Sequence, residues 1–346
     1  MSRKRHPLVL PTVALFALAT LPADTAMAES KEVNVYSYRQ EFLIRPFLDT
    51  FTDQTGIKVN VVFAKKGIIE RLKAEGANSP ADLVLTVDIS RLDRLVRAGL
   101  VRKVASPLLE ANVPPQYRHP EGLWFGLTTR ARILYVSKDR VKPGAIGRYE
   151  DLADEKWRGR VCMRSSKHVY NRALMASMIA AHGESGAEAW ARGLKANMAR
   201  KPQGNDRGQV KAIKEGLCDV GLGNSYYYGK MKFNRKKPEQ RQWAAAVNLV
   251  FPNQGDRGTH VNVSGVAMTK AAKRPAAAQK LMEFLAGDLA QRMYAKVNYE
   301  YPVKPGMAAD AEVASWGDFK SDPLPLQTIA DLSPQAVAVF QRVGLP

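Results

Sequence analysis

The sequence has few of the side chains from which most catalytic and metal sites are built. Its 346 residues include two cysteines and five histidines. None of the four histidines after residue 28 stands at metal-ligand spacing from another, and neither cysteine lies in a C-x-x-C pair. Redox catalysis and structural zinc are therefore poor explanations. The H-E-x-x-H, Walker, G-x-G-x-x-G and G-x-S-x-G patterns are also missing, which argues against the common classes of enzyme.

Long hydrophobic runs are missing too, except near the start of the chain. Basic residues at positions 3–5 precede an apolar stretch at 8–21, and Ala26-Met27-Ala28 has the small-x-small pattern of a cleavage site. The apolar stretch is too short and interrupted to span a membrane. Residues 1–28 are therefore predicted to be a secretory signal that is removed near Glu29, with an uncleaved anchor as the alternative. The mature protein is expected to be exported and soluble.

Acidic residues are scarce relative to basic ones. Thirty-three Asp and Glu face 52 Lys and Arg, which gives a formal net charge of +19. Such a balance is typical of proteins that bind nucleic acid or an anionic surface. The basic residues are scattered, however, and no aromatic-basic recognition motif accompanies them. Since export would also remove the usual nucleic acids, we expect no nucleic-acid partner. The charge indicates a solvated surface or attraction for an anionic metal chelate.

Cys162 and Cys218 are the only two cysteines, and an exported protein can join two thiols in a disulfide. The bond would close a loop of roughly 55 residues and stabilise the fold by about 4 kcal/mol in the chain-entropy model. Two buried free thiols are the alternative.

Short β-rich runs alternate with amphipathic helical stretches along the mature chain, which predicts an α/β fold. The predicted strands are 33–38, 58–63, 82–87, 160–163 and 220–223, and the predicted helices are 42–55, 68–75, 170–182 and 275–285. The strand at 82–87 has almost no polar interruption, as a sheet buried on both faces requires. The tail from Gly306 contains Pro and Ala and is expected to wrap the surface.

Two longer β-rich passages, 124–137 and 261–269, are candidates for strands that cross between two lobes. We predict a first lobe formed by 29–128 with 261–304, and a second lobe formed by 129–260 with 305–346. Two lobes joined by two crossover strands enclose a cleft that closes on a ligand by hinge motion. Export and this architecture together suggest a periplasmic solute-binding protein.

Three consecutive tyrosines, Tyr226-Tyr227-Tyr228, are the most informative feature of the chain. A phenol is neutral at pH 7 because its unperturbed pKa is near 10. An adjacent trivalent cation favours the phenolate, and hard cations select oxygen donors. Asn224 or Ser225 can cap a helix that starts at the tyrosines. Fe³⁺ is therefore a candidate ligand, and a half-buried aromatic turn is the alternative.

Several segments together indicate a family. The chain resembles the bacterial periplasmic ferric-ion-binding proteins, which are the substrate receptors of iron(III) ABC transporters, over nearly the whole mature sequence. The resemblance rests on Val35-Tyr36-Ser37-Tyr38-Arg39-Gln40, Ser79-Pro80-Ala81-Asp82-Leu83, Thr129-Arg130-Ala131-Arg132, Tyr170-Asn171 and Gly223-Asn224-Ser225-Tyr226-Tyr227. It implies a two-lobed periplasmic-binding-protein fold of type II, a periplasmic location, an inner-membrane ABC permease as partner and a monomer that is not an enzyme.

The resemblance also implies a set of metal ligands. Tyr170, Tyr226 and Tyr227 would bind Fe³⁺, and Tyr228 would be structural. The first lobe departs from the family, because relatives commonly place His or His-Tyr where this chain has Gln40 and Glu41. The first-lobe ligand would be Gln40, Glu41, water or a small anion.

Family members often use carbonate or a similar anion to complete the metal site, and such an anion needs a cationic anchor. Arg130 matches that position, with Thr129 beside it, and Arg39 is a second candidate. For each arginine, a structural salt bridge is the alternative.

Two other functions remain open. One is a receptor for a different solute, either an anionic organic ligand such as a phosphonate, or a polyamine or thiamine. The other is a secreted metal-dependent hydrolase, which would need an open coordination site and a general base. Glu41 is the only residue that could serve as that base.

Overall fold

The structure is a computed structural model that describes Met1 and residues 30–346. The predicted secretory signal, apart from Met1, lies outside the described residues. Those residues form the strands β1 to β9, which are Glu32–Ser37, Lys58–Phe63, Leu83–Thr86, Phe125–Ser137, Val161–Cys162, Val220–Asn224, Val247–Val250, Val261–Met268 and Tyr301–Pro302.

Helices occupy most of the remaining chain. Helices α1 to α13 are Glu41–Thr55, Ile68–Glu75, Ile89–Arg97, Pro107–Asn112, Val169–Ala196, Asp206–Lys214, Tyr226–Lys232, Glu239–Ala245, Pro275–Ala286, Asp288–Met293, Ala311–Ala314, Leu326–Asp331 and Ser333–Val343. A π-helical turn follows α10 at Tyr294–Asn298. The predicted strands and helices are confirmed, with ends that differ by a few residues.

The strand β4 is buried along its whole length and links two groups of strands. Its first part, 125–131, pairs antiparallel with β8, and its second part, 132–136, pairs antiparallel with β6. The full order is β2-β1-β3-β8-β4-β6-β5, with β7 and β9 also on β4. We call the β2-β1-β3-β8 side, with its helices, the first lobe, and the β6-β5-β7 side the second lobe. The numerical lobe limits given above remain a prediction.

Helix α1 shows how local sequence fixes an element of the first lobe. Leu43, Phe47 and Phe51 are buried at helical spacing, and the chain leaves the helix at Gly56, which adopts φ 71°. A left-handed residue at a helix end favours glycine because it has no Cβ. Phe42 was expected in the same apolar stripe, but it is 44% exposed. It lies one position before the buried face begins, at the first turn of the helix.

Helix α5 begins one residue before the predicted start and is interrupted at Gly183, which has φ 70° and ψ 171°. Its first part therefore ends at the predicted position, and a second helical part continues to Ala196. Cys162 and Cys218 form a disulfide, with Cα atoms 5.9 Å apart, and so join β5 to the segment that precedes β6.

The expectation that the tail wraps the surface without regular structure was wrong. It contains α11, α12 and α13, and α13 buries Ala336, Val339, Phe340 and Val343. These four residues recur at helical spacing, so α13 gains stability from packing an apolar face on the core. Helix α13 packs on α5, and α12 packs on both α3 and α5.

Candidate metal centre

The adjacent tyrosines lie where β6 passes into α7. A Cβ at Gly223 would come within 2.2 Å of the Tyr135 ring, so the close approach of β6 to β4 requires glycine there. The Tyr135 hydroxyl donates to the Asn224 carbonyl at 2.6 Å. The predicted side-chain cap was wrong: Ser225 occupies the N-cap position without a capping hydrogen bond, and the Asn224 amide oxygen accepts from Arg132 instead.

Tyr226 and Tyr227 form a close pair. Their ring centroids are 4.2 Å apart, and both side chains are buried. The Tyr226 hydroxyl is hydrogen-bonded to that of Tyr227, and this bond stabilises the neutral form of Tyr226. Two phenol oxygens in hydrogen-bond contact are close enough to bind the same cation.

Tyr170 approaches from another element of the same lobe. It lies in the first turn of α5, where the His168 imidazole caps the helix by accepting from the Tyr170 amide at 3.3 Å. Tyr170 and Tyr226 both line an interlobe cavity of about 420 Å³. The pKa of Tyr226 and that of Tyr227 are both raised by a contribution from Tyr170, which places the three phenols within electrostatic reach of one another. The three predicted tyrosines are thus together at one wall of the cleft.

A buried ionic network holds this wall in place. Asp206 is fully buried and accepts from Arg132 at 2.8 Å and from Arg164 at 3.0 Å. Its carboxylate also accepts from the Asn224 amide at 2.9 Å. Burial alone would raise the pKa of Asp206, but the two guanidinium groups lower it below its usual value. The ionised carboxylate therefore fixes the strand end from which Tyr226 and Tyr227 follow.

The same network reaches Tyr170. Arg132 donates to the Asn171 side-chain oxygen at 2.6 Å, and the Asn171 amide group donates to the Arg164 carbonyl at 2.9 Å. The guanidinium carbon of Arg164 lies 5.5 Å from the centre of the Tyr170 ring. Asp206 and Arg164 were not predicted as site residues. Asp206 follows Asn205 at the start of α6, and no motif there signals a role in a site formed 18 residues later.

The tyrosines of the free protein are held in the neutral form. Burial raises the pKa of Tyr226 well above its ordinary value, with further contributions from Tyr170 and Tyr227. Burial also raises the pKa of Tyr227, against the positive charge of Arg164. Because a metal ligand must be deprotonated, capture of a cation here must release protons.

The first lobe supplies mainly apolar contact to this wall. Leu43 packs on Tyr226 and Tyr227, and Val87 packs on Tyr170. Gln40 lines the cavity, whereas Glu41 does not. The Glu41 carboxylate is 60% exposed and accepts from Arg45 at 2.9 Å, one helical turn away. Of the two predicted first-lobe ligands, only Gln40 thus has a place on the cavity wall.

The two candidate anion anchors differ in their partners. Arg39 is ion-paired with Glu300 at 2.5 Å and donates to the Ser264 hydroxyl at 2.7 Å. Arg130 donates to the same hydroxyl at 2.6 Å, and its guanidinium carbon lies 5.4 Å from the centre of the Tyr170 ring. Arg130 has no ion pair within residues 30–346. Arg39 thus has the salt bridge that was its alternative role, whereas the charge of Arg130 remains available to an anion.

The remaining predicted residues lie near the hinge or behind the site. Thr129 lies on β4 opposite Val263 and Tyr301 and is 7% exposed. Tyr228 packs edge-on against Trp316, with ring centroids 5.8 Å apart, which fits its predicted structural role. Across residues 30–346 there is no group of three or more His, Cys, Asp or Glu side chains that could hold a metal. Within those residues, a metal site would therefore depend on tyrosine oxygens.

Two lobes that share the strands β4 and β8, with a polar cleft between them, define a solute-binding protein of the two-lobed periplasmic type. The chain belongs to the bacterial extracellular solute-binding protein family, whose model matches residues 78–319. This is a family of binding proteins rather than enzymes. None of the helices within residues 30–346 is long and apolar enough to cross a membrane.

Known proteins similar to this chain cover nearly all of it. Iron uptake protein A1 of Synechocystis sp. is 45% identical over 93% of this chain and 89% of its own length. The solved structure of apo ferric ion-binding protein A of Pasteurella haemolytica is 51% identical, with a TM-score of 0.88 over 91% of this chain and 98% of that chain. A Trichodesmium protein solved in complex with iron and citrate ligands is 42% identical, with a TM-score of 0.85 over 91% of this chain and all of that chain.

Proposed function

We propose that this protein captures Fe³⁺ in its interlobe cleft through the phenolates of Tyr170, Tyr226 and Tyr227. The observation that carries the proposal is the convergence of three buried tyrosines on one cavity wall. Three phenolates would balance the three positive charges of the ion, and the hard oxygen donors suit Fe³⁺. The relatives named for iron uptake and ferric-ion binding support the same cargo.

The arrangement suggests an order of events. The second lobe would bind the ion first, because all three tyrosines and the network around Asp206 belong to it. Closure would then bring Gln40 to the cavity and pack Leu43 on the tyrosine pair. A carbonate-like anion beside Arg130 would complete the coordination shell, since that guanidinium lies close to Tyr170.

The partner and the location follow from the family and the start of the sequence. Solute-binding proteins of this kind deliver their cargo to an ABC permease, and the segment 1–28 has the pattern of an export signal. The protein would therefore act as a periplasmic monomer that passes iron to an inner-membrane permease.

The test uses the colour of phenolate bound to Fe³⁺. Protein loaded with ferric citrate should show a visible charge-transfer band that is lost in the Tyr226→Phe, Tyr227→Phe double variant. Tyr228→Phe is the matched control, because Tyr228 packs against Trp316 and should leave the band unchanged. If the double variant keeps the band of the wild type, the ligand assignment is wrong.

A further inference from the structure

A second interlobe cavity lies beside the tyrosine cavity and is lined mainly by basic side chains. It measures about 580 Å³ and shares Tyr38, Arg91 and His168 with the tyrosine cavity. The first lobe contributes the segment 66–70 and residues of α3, and the second lobe contributes the start of α5. A ligand in this cavity would contact both lobes and could extend to the metal position.

The charges on the wall of this cavity are poorly matched. Its five cationic residues are Lys66, Arg91, Arg94, Lys167 and Arg172, and its one carboxylate, Glu70, is ion-paired with Arg94 at 2.9 Å. Within the part of the chain that the structure describes, the other four cationic side chains form no ion pair. Lys65, which lines the adjoining tyrosine cavity, adds a further positive charge.

Arg172 shows the crowding most clearly. It lies on the first part of α5, and its Nε is buried without a hydrogen-bond partner. Burial lowers the pKa of this guanidinium, and Arg91 and Arg94 lower it further, against the attraction of Asp88. The Asp88 carboxylate is already engaged, because it caps α3 and accepts from the Asn262 side chain at 2.8 Å. Like charges held this close favour an anion between them.

We propose that this cationic cavity binds the outer carboxylates of a polycarboxylate that remains attached to the captured iron. This inference rests on the proposed function and adds a second subsite to it, so that the cargo is an anionic chelate. Guanidinium groups match carboxylate geometry through paired hydrogen bonds. A volume of about 580 Å³ exceeds what one small tetrahedral anion fills, and its continuity with the tyrosine cavity suits one extended ligand.

The experiment titrates iron-free wild-type protein with citrate by calorimetry, with acetate and inorganic phosphate as comparison ligands. Citrate should bind, and it should bind more tightly than the other two. The double variant Lys167→Gln, Arg172→Gln should lose about tenfold or more of the citrate affinity, because charge-assisted hydrogen bonds are lost. Lys66→Gln tests the opposite lobe and should also weaken citrate. Lys236→Gln, an exposed lysine outside both cavities, is the control of equal charge and should change nothing.

The outcomes separate this inference from the proposed function. The Tyr226→Phe, Tyr227→Phe variant should still bind citrate although it loses the iron colour. Absence of citrate binding to the wild type would overturn the inference, as would equal affinity in the wild type and the cavity variants. Phosphate binding as tight as citrate would overturn the polycarboxylate assignment. None of these results alters the colour test of the tyrosines.

Discussion

Both lobes place a buried arginine–carboxylate pair beside the cleft, but the two pairs support different functions. In the second lobe, Asp206 joins Arg132 and Arg164 around the segment that leads to the tyrosine pair. In the first lobe, Glu300 joins Arg39 and accepts from Thr128 at 3.1 Å near the hinge strands. The second-lobe pair organises metal-binding groups, whereas the first-lobe pair organises the hinge.

The contrast suggests a division of labour. The second lobe carries all three tyrosines on a network that exists without the ion, so its ligands are preorganised. The first lobe offers Gln40 and apolar contacts from Leu43 and Val87. A preorganised wall fixes affinity, because little ordering remains to be done on binding. A wall that mainly covers the ligand fixes how readily the cleft opens.

The largest effect is expected from Asp206→Asn, which keeps the shape of the side chain and removes its charge. Arg132 and Arg164 would then remain buried without their carboxylate. Breaking a buried ion pair in this way costs about 3–5 kcal/mol. Urea unfolding should show this loss of stability, and the phenolate band should weaken because the turn before Tyr226 loses its anchor.

Asp219→Asn is the matched control for that change. Asp219 also accepts from two arginines, Arg140 and Arg160, but those guanidinium groups are 37% and 38% exposed. Water can solvate them, so the cost should be about 1 kcal/mol with the band unchanged. Equal losses in the two variants would contradict the view that burial makes the Asp206 network a preorganised support.

The next effect concerns pH. Since the pKa values of Tyr226 and Tyr227 are raised above 10 in the free protein, both are protonated at neutral pH and must lose their protons to bind Fe³⁺. Two released protons make the affinity fall about 100-fold for each unit by which the pH decreases. Competition with a chelator, corrected for the chelator's own protonation, measures the slope. A slope below tenfold per unit would show that fewer than two phenols give up protons.

How much of this contrast the sequence predicts differs between the lobes. Tyr226 and Tyr227 are adjacent in the chain, and Tyr170 opens a helix with a recognisable start, so the second-lobe donors were predictable from local patterns. Asp206 was not, because its role depends on strand pairing that brings Asn224 and Arg132 to it. Most strands and helices were predictable from periodicity. The helical tail was not, since the apolar spacing of α13 becomes informative only when α5 is known to pack on it.

The first-lobe donor was left open for a similar reason. Gln40 and Glu41 are neighbours, and the sequence gives no basis for choosing between them. The structure separates them through the start of α1: Gln40 occupies the N-cap position and lines the cavity, whereas Glu41 is in the first turn and reaches Arg45. One residue along the chain changes which way a side chain projects when a helix begins between them.

The smallest effect, and the sharpest test of the first lobe, therefore compares Gln40→Ala with Glu41→Ala. Loss of the Gln40 amide removes one polar contact from the cavity and should weaken Fe³⁺ binding by about tenfold or less, as expected for one hydrogen-bonding group. Glu41→Ala breaks an exposed pair with Arg45, which contributes about 0.3–0.5 kcal/mol to the helix, and should leave the affinity unchanged. The same chelator competition measures both variants. If Glu41→Ala proved the more damaging, the carboxylate would have to turn into the cleft on binding, and the first lobe would supply a charged ligand instead of a cover.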